Sequence, residues 1–235
     1  MKLSAPIYRL KREAKLLSRK NGIPLHAALD RLAASEGFES WSLLASSAVF
    51  RCPTHRILDD LLPGEMLLLG ARPGHGKTLM ALEMMVDAVK AGEQCLFYSL
   101  DYTETQIMNH IVALGADPEL FKGAIDTSDA ISADYILQKA KAVPAGTLIV
   151  IDYLQLLDQD RSKPDVAAQV SQLQAFARSA GVIIIFISQI DRVFDASAKT
   201  LPDLADVRMP NPLNLDLFDK TCFVHDGVIQ FDKAC

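Results

Sequence analysis

One stretch of the chain holds the residue types that cradle a phosphate chain, namely Ala71, Arg72, Pro73, Gly74, His75, Gly76, Lys77 and Thr78. It matches the phosphate-loop pattern G-x-x-x-x-G-K-[ST], with Ala71 in place of the first glycine. Gly74 and Gly76 let the backbone turn so that successive N–H groups point at phosphate oxygens. A helix that begins near Lys77 adds its N-terminal dipole. We expect Lys77 to reach the β- and γ-phosphates and the Thr78 hydroxyl to ligate Mg²⁺, so this P-loop predicts a site for Mg·ATP.

Two further polar side chains follow apolar runs that read as buried strands. Asp152 ends the run Leu148–Asp152, and a carboxylate at such a strand tip is placed to hold a magnesium-bound water beside the P-loop threonine. Gln189 follows the run Val182–Ser188. A glutamine there either contacts the γ-phosphate and reports its loss, or is an ordinary polar residue at a strand end.

These residues are positioned by short apolar runs that alternate with helical stretches. Near-continuous Leu, Val and Ile runs are typical of strands buried on both faces of a parallel sheet. The predicted strands are Met66–Gly70, Gln94–Ser99, Thr147–Asp152 and Val182–Ser188, and the predicted helices are Lys77–Ala91, Thr103–Leu114, Ser132–Ala142 and Ala167–Ala180. Alternating β and α units predict an α/β fold with a mostly parallel, twisted, doubly wound sheet flanked by helices.

The first 48 residues predict a small basic helical module, separate from the α/β domain at residues 49–235. Apolar residues at helical spacing mark three short helices, at Ala5–Lys20, Leu25–Ser35 and Glu39–Ser46. They suit either a helix-turn-helix-like unit or a docking collar for a protein partner. Residues 1–50 carry eight Lys/Arg against four Asp/Glu, within a chain of net charge −5. This basic segment indicates either a nucleic-acid contact or a solvated helix face.

The composition excludes several other classes of protein. The four cysteines are scattered, which favours reduced thiols in a cytoplasmic protein over a disulfide framework or a zinc site. The sequence has no charged-then-apolar leader and no apolar run near 18 residues. We therefore expect neither secretion nor a membrane-spanning segment.

Several motifs together resemble the ATPase domain of the DnaB-type replicative helicases over roughly residues 50–230. Besides the P-loop, they are Leu148-Ile-Val-Ile-Asp-Tyr-Leu-Gln-Leu-Leu157 and Ile187-Ser-Gln-Ile-Asp-Arg192. Ser99-Leu100-Asp101 and Asp206-Val207-Arg208 fit the same family in order. The Ile-Asp-Tyr-Leu-Gln-Leu run is far narrower than a generic strand that ends in aspartate.

The resemblance implies a RecA-like P-loop fold and ATP hydrolysis coupled to movement on single-stranded DNA. It also implies assembly as a homo-oligomer, a hexameric ring with its sites between subunits. The family's phosphate and metal roles fall on Lys77 and Thr78, its metal-water role on Asp152 and its γ-phosphate contact on Gln189. Asp101 falls where the family places its catalytic glutamate.

Contacts with single-stranded DNA are expected from three groups of basic residues. Loops after the Asp152 and Gln189 strands commonly meet DNA in RecA-like proteins, and they carry Arg161, Lys163 and Arg192 here. Both loops also hold several aspartates, which weakens their attraction for phosphates. The first helix is the more basic candidate, through Arg9, Lys11, Arg12 and Lys15.

Three departures from the family lead to a second hypothesis. Asp101 is one methylene shorter than the family's glutamate. The sequence indicates no basic C-terminal hairpin that could supply an arginine finger. In place of the large N-terminal domain of the replicative helicases, this chain has about 50 residues of different character. Such losses lower hydrolysis more than binding. The chain is then either a DNA-coupled ATPase or a slow, nucleotide-gated regulatory module that docks a protein through its N-terminal helices.

Overall fold

The computed structural model describes residues 7–44, 54–158, 164–197, 199–209 and 211–233. The chain divides into two compact units: Met1–Pro53 with Asp226–Val228, and Thr54–His225 with Ile229–Cys235. The domain boundary predicted at residue 48 falls between residues 45 and 53, outside the described residues, and stays a prediction.

The smaller unit contains helices α1 (Ile7–Asn21) and α2 (Leu25–Ser35), and residues 41–44 are also helical. Gly22 ends α1 with a φ of 61°, and Pro24 precedes the first residue of α2. Its small core joins residues of all three segments: Leu10, Ala33 and Leu44, with Phe38 and Trp41 packed against them. The side chains of Arg9, Lys11, Arg12 and Lys15 lie outside the described part of the structure.

The larger unit alternates strands and helices, as the apolar runs predict. Its elements in chain order are α3 (Thr54–Asp60), β1 (Met66–Ala71), α4 (Lys77–Lys90), β2 (Cys95–Ser99), α5 (Glu104–Ala113), β3 (Ile125–Asp126), α6 (Ala133–Ala140), β4 (Leu148–Asp152), α7 (Val166–Ala180), β5 (Ile183–Gln189), β6 (Lys220–His225) and β7 (Val228–Lys233). Short 3₁₀ helices occupy Pro118–Phe121, Leu154–Asp158, Arg192–Ala196, Leu204–Asp206 and Leu215–Leu217.

Seven strands form one sheet in the order β3-β2-β4-β5-β1-β6-β7. β1 pairs in parallel with β5 and β6, and β4 pairs in parallel with β2 and β5. Alternate side chains of the inner strands pack with α6 and α7 in one buried cluster, and α4 also packs against the sheet. The predicted α/β fold with a mostly parallel sheet flanked by helices is confirmed.

Three of the strands were not predicted from the sequence. β3 has only two residues, too few to form a periodic pattern. β6 and β7 are adjacent and joined by Asp226 and Gly227, with φ angles of 49° and 80°. Asp-Gly between apolar residues is a strong hairpin signal because both turn residues need positive φ. This hairpin was not predicted. Its two strands contain no arginine, so the expectation that no basic C-terminal hairpin supplies an arginine finger stays a prediction.

The register of the sheet aligns the strand ends that carry the predicted site. Ala71 of β1 lies opposite Gln189 of β5, and Asp152 of β4 lies opposite Ser99 of β2. Parallel strands point their carboxyl ends to one edge, which is where α/β sheets bind ligands.

Among the helices that the structure describes, none is both long enough and apolar enough to cross a membrane.

Candidate nucleotide-binding site

The P-loop connects β1 to α4 and has the backbone of a phosphate cradle. Gly74 and Gly76 have φ angles of 82° and 85°, which favour glycine, and the His75 N–H donates to the Arg72 carbonyl at 3.1 Å. Gly76 is the N-cap of α4 and supplies no side-chain acceptor. The first N–H groups of a helix need partners from outside it, and a phosphate group satisfies them well.

Lys77, Thr78 and Asp152 lie together at the buried floor of the site. Lys77 is 8% exposed and Thr78 6% exposed, although lysine is rarely buried without a partner. The Thr78 hydroxyl donates to Asp152 Oδ2 at 3.0 Å, across 74 positions of sequence. Asp152 itself is fully buried at the end of β4.

The second carboxylate oxygen of Asp152 indicates which kind of group the site could hold. Asp152 Oδ1 is buried and has no hydrogen-bond partner among the described residues. Buried polar atoms are nearly always paired, so an unpaired one marks a place for a water or ion. A hydroxyl and a carboxylate are oxygen ligands of the kind that Mg²⁺ prefers, directly or through water. The residues present therefore fit a magnesium ion with its bound water.

Burial raises the pKa of Asp152 from 3.8 to about 6. The positive charge of Lys77 and the hydrogen bond from Thr78 oppose this increase in pKa, and the charge of Asp101 adds to it. Keeping Asp152 ionised without a nearby cation therefore costs free energy, and a bound cation would remove that cost.

Asp101 and Tyr102 follow β2 at the same edge of the sheet. Asp101 is exposed, and its N–H donates to Ser99 Oγ at 3.2 Å. Partial loss of solvent raises the pKa of Asp101, while the charge of Lys77 lowers it. Tyr102 is a site residue that the sequence analysis missed, although it directly follows Asp101. Burial raises the pKa of its phenol, as do the charges of Asp152 and Asp101, and a hydrogen bond with Thr78 lowers it.

Gln189 lies at the tip of β5, as predicted, and is held by Arg208. The Gln189 side-chain oxygen accepts from Arg208 Nη1 at 3.4 Å, and its backbone carbonyl accepts from the Arg208 N–H at 2.8 Å. Gln155 joins the same group, because its Nε2 donates to Ser188 Oγ at 3.0 Å and to the Arg208 carbonyl at 2.5 Å. The ends of β4 and β5 are thus connected to the Arg208 segment.

The residues predicted to contact DNA are only partly described. Arg192 is exposed at the start of a 3₁₀ helix after β5, whereas Arg161 and Lys163 lie outside the described residues. The buried Gln169 donates to the carbonyls of Leu157 and Pro164, at 2.6 and 2.8 Å. Those two bonds hold both flanks of the stretch that contains Arg161 and Lys163.

Lys199, in the loop after β5, is a further basic residue, and its charge is paired with carboxylates. Lys199 Nζ is 2.8 Å from a carboxylate oxygen of each of Asp203 and Asp206. Two carboxylates on one ammonium reduce its attraction for phosphates. Arg192 is therefore the better candidate of the two for a DNA contact.

Replacing Asp152 with asparagine should stabilise the nucleotide-free protein near neutral pH. The raised pKa means that the folded state holds a proton that the unfolded state loses between pH 3.8 and about 6, so stability falls as the pH rises through this window. Above it, Asp152→Asn should raise the free energy of unfolding by about 1–3 kcal/mol. Urea unfolding without Mg²⁺ at pH 4.5 and 7.5 measures the difference, which should be smaller at pH 4.5.

The exposed Asp59 provides the control for this experiment. Asp59→Asn removes a carboxylate at the surface, so it shows how much of a change in the free energy of unfolding comes from the loss of charge alone. If Asp152→Asn changed the free energy of unfolding equally at both pH values, the pKa of Asp152 would not be raised by folding.

The larger unit of the chain matches a known family of proteins. The family model of the DnaB-like helicase C terminal domain matches residues 55–120 and 118–226. The replicative DNA helicase DnaB of Leifsonia xyli subsp. xyli (strain CTCB07) is 26% identical, over 68% of this chain and 42% of that protein. The replicative DNA helicase DnaB of Buchnera aphidicola subsp. Schizaphis graminum (strain Sg) is also 26% identical, over 74% of this chain and 45% of that protein. The chain thus spans less than half the length of these relatives.

Solved structures give the same assignment of fold. A DnaB-like replicative helicase, described with its interactions with primase, superposes with a TM-score of 0.57 at 20% identity, over 68% of this chain and 47% of that one. A KaiC-like protein from the hyperthermophilic archaeon Pyrococcus horikoshii superposes with a TM-score of 0.51 at 20% identity, over 70% of this chain and 74% of that one. Both likenesses support the RecA-like fold that the sequence motifs imply. The chain belongs to the family of the DnaB-like helicase C-terminal domain.

Proposed function

We propose that this protein binds Mg·ATP at the P-loop and hydrolyses it. The observation that carries the proposal is the contact between Thr78 and the buried Asp152, whose other oxygen has no partner among the described residues. Lys77 lies beside this pair at the start of α4, where helix N–H groups point at the same space. A buried carboxylate, a hydroxyl, an ammonium and free N–H groups are the donor set of a magnesium-nucleotide site.

Each residue then has a role set by its position. Lys77 and the N–H groups of the P-loop bind the β- and γ-phosphates, and Asp101 orients and deprotonates the attacking water. Gln189 faces the γ-phosphate and changes its contact when that phosphate leaves. Thr78, and Asp152 through water, would hold a magnesium ion, which would supply positive charge to the phosphate chain.

We further propose that hydrolysis is coupled to single-stranded DNA. The relatives are replicative DNA helicases, and this family membership supports the extension. The proposed contacts are basic side chains of the two loops and of α1: Arg161, Lys163, Arg192, Arg9, Lys11, Arg12 and Lys15. A homo-oligomer, as a hexameric ring, would place each site beside a neighbouring subunit.

A second candidate is a slow ATPase that acts as a nucleotide-gated module. It is favoured by Asp101, whose short carboxylate is exposed rather than held at a fixed distance from the site. In this case the N-terminal helices dock a protein partner, and binding of Mg·ATP rather than its turnover sets the state of the molecule. Asp101 therefore separates the two candidates.

The ATPase rate with and without single-stranded DNA tests the coupling. Wild type should hydrolyse ATP faster with DNA, and more so at higher protein concentration if sites form between subunits. Lys77→Ala should lose at least about 100-fold in kcat/KM, because charge stabilisation of the transferred phosphoryl group is the main catalytic term. Tight ATP binding with negligible turnover that DNA does not change would leave only the gated module.

Lengthening Asp101 should increase the rate. Asp101→Glu adds one methylene and should raise kcat by about tenfold, since a positioned general base supplies on the order of 10²–10⁴ in rate. The affinity for ATP should change little, because this carboxylate faces the water rather than the phosphates. Steady-state kinetics at saturating ATP gives kcat.

Asp101→Gln is the matched control, because it has the length of glutamate without a base. Its kcat should fall below that of wild type. Equal rates for the Glu and Gln variants would show that Asp101 is not the base.

A further inference from the structure

Arg72 is part of the P-loop, but its side chain forms hydrogen bonds with other residues of the protein. Its Nε and Nη2 donate to the two carboxylate oxygens of Asp195 at 2.9 and 2.7 Å. Its Nη1 donates to the Ile190 carbonyl at 2.9 Å. Both partners lie in the segment that follows Gln189, residues 190–197, and three of the guanidinium's five N–H donors are thus committed to it.

A second P-loop residue is connected to the same segment through β6. The rings of His75 and His225 stack with centroids 4.7 Å apart and planes 8° apart. The rings of Phe194 and His225 form a T-shaped pair, with centroids 4.9 Å apart and planes at 82°. The P-loop therefore contacts residues 190–197 directly through Arg72 and indirectly through His75.

The ion pair has the geometry of a specific contact rather than of a casual surface pair. Its two parallel hydrogen bonds are the bidentate form that arginine makes with carboxylates. The Arg72 side chain is 14% exposed and that of Asp195 53% exposed. The hydrogen bonds from Arg72 lower the pKa of Asp195. Burial opposes this decrease, and the charges of Arg72, His225 and His75 add to it.

Residues 190–197 have an inner side that faces the P-loop and an outer side that faces solvent. Phe194 is 3% exposed, whereas Val193 is 75% exposed and Arg192 is also exposed. The segment is short and folded on itself, because the Phe194 carbonyl accepts from the Ser197 N–H at 3.0 Å and the Asp191 side chain accepts from the Val193 N–H at 2.9 Å. A shift of the inner side would therefore move the outer side with it.

We propose that Asp195 is a positioning residue of the nucleotide site, which holds residues 190–197 to the P-loop through Arg72 and so couples nucleotide binding to the exposed side of that segment. The inference rests on the proposed binding of Mg·ATP at the P-loop. Asp195 does not touch the phosphates, so its effect on the reaction passes through Arg72. The segment begins directly after Gln189, which gives the γ-phosphate a second route to the same residues.

Hydrogen exchange of the backbone amides tests the coupling on the intact chain. In wild type, Mg²⁺ with the slowly hydrolysed analogue ATPγS should slow exchange in a peptide covering residues 190–197 by about tenfold. In Asp195→Asn this nucleotide-dependent protection should be lost, while direct titration gives an affinity for ATPγS within about threefold of wild type. In steady-state assays kcat should fall and KM should stay nearly constant.

Three variants separate a positioning role from a general structural one. Asp195→Glu keeps a carboxylate for Arg72 and should restore most of the protection. Asp203→Asn removes an equally exposed ion-paired carboxylate from the same region, and should keep full protection. In an Arg72→Ala background, Asp195→Asn should have no additional effect, because its partner is already absent.

The outcomes distinguish this inference from the proposed function. Failure of wild type to bind ATPγS would overturn the proposed function and the inference with it. Wild-type binding with normal nucleotide-dependent protection in Asp195→Asn would overturn the inference alone. Equal loss of protection in Asp195→Asn and Asp203→Asn would also overturn it, because the effect would not then depend on Arg72.

Discussion

The hydrogen bond from Thr78 to Asp152 joins the start of α4 to the end of β4, which are 74 positions apart in sequence. It depends on the parallel register, which brings the ends of β1, β2, β4 and β5 to one level. It also depends on the burial of Asp152, because only a buried carboxylate with one unpaired oxygen has a strong need for a cation. The apolar strands therefore do more than form a core. They keep water away from the carboxylate of Asp152, which the proposed magnesium ion would neutralise.

Much of this arrangement could be predicted from the sequence because its determinants are local. β1, β2, β4 and β5 are continuous apolar runs. Asp152 and Gln189 are the last residues of β4 and β5, and Thr78 follows β1 at the far end of the P-loop. The P-loop pattern fixes its own backbone through Gly74 and Gly76. Family membership, recognised from three motifs, is confirmed over most of the larger unit.

The elements and contacts that could not be predicted from the sequence depend on tertiary contacts or have an atypical composition. β6 begins with Lys220, which reads as a loop residue but is buried and paired with Glu65. Asp195 belongs to no motif, and its partner Arg72 is 123 positions away. The stacking of His75 on His225 similarly requires β6 to lie beside β1. Sequence spacing carries no signal for such pairs.

The proposed nucleotide site combines the groups needed for binding with a less constrained geometry at Asp101, the proposed base. Binding groups lie on rigid strand and helix ends, whereas Asp101 lies on an exposed connection after β2. The P-loop also forms an ion pair with residues 190–197, the segment in which Arg192 is exposed to solvent. Under the proposed function, this connection would couple nucleotide binding to residues 190–197 whether turnover is fast or slow.

The most direct test of the central claim is calorimetric titration of wild type with ATPγS, with Mg²⁺ and then with EDTA. If Asp152 and Thr78 form a magnesium-nucleotide site, the affinity should be micromolar with Mg²⁺ and should weaken by about tenfold or more without it, a loss of at least ~1.4 kcal/mol. Absence of binding at roughly millimolar nucleotide, a free energy weaker than about −4 kcal/mol, or an affinity that does not depend on Mg²⁺, would contradict the account.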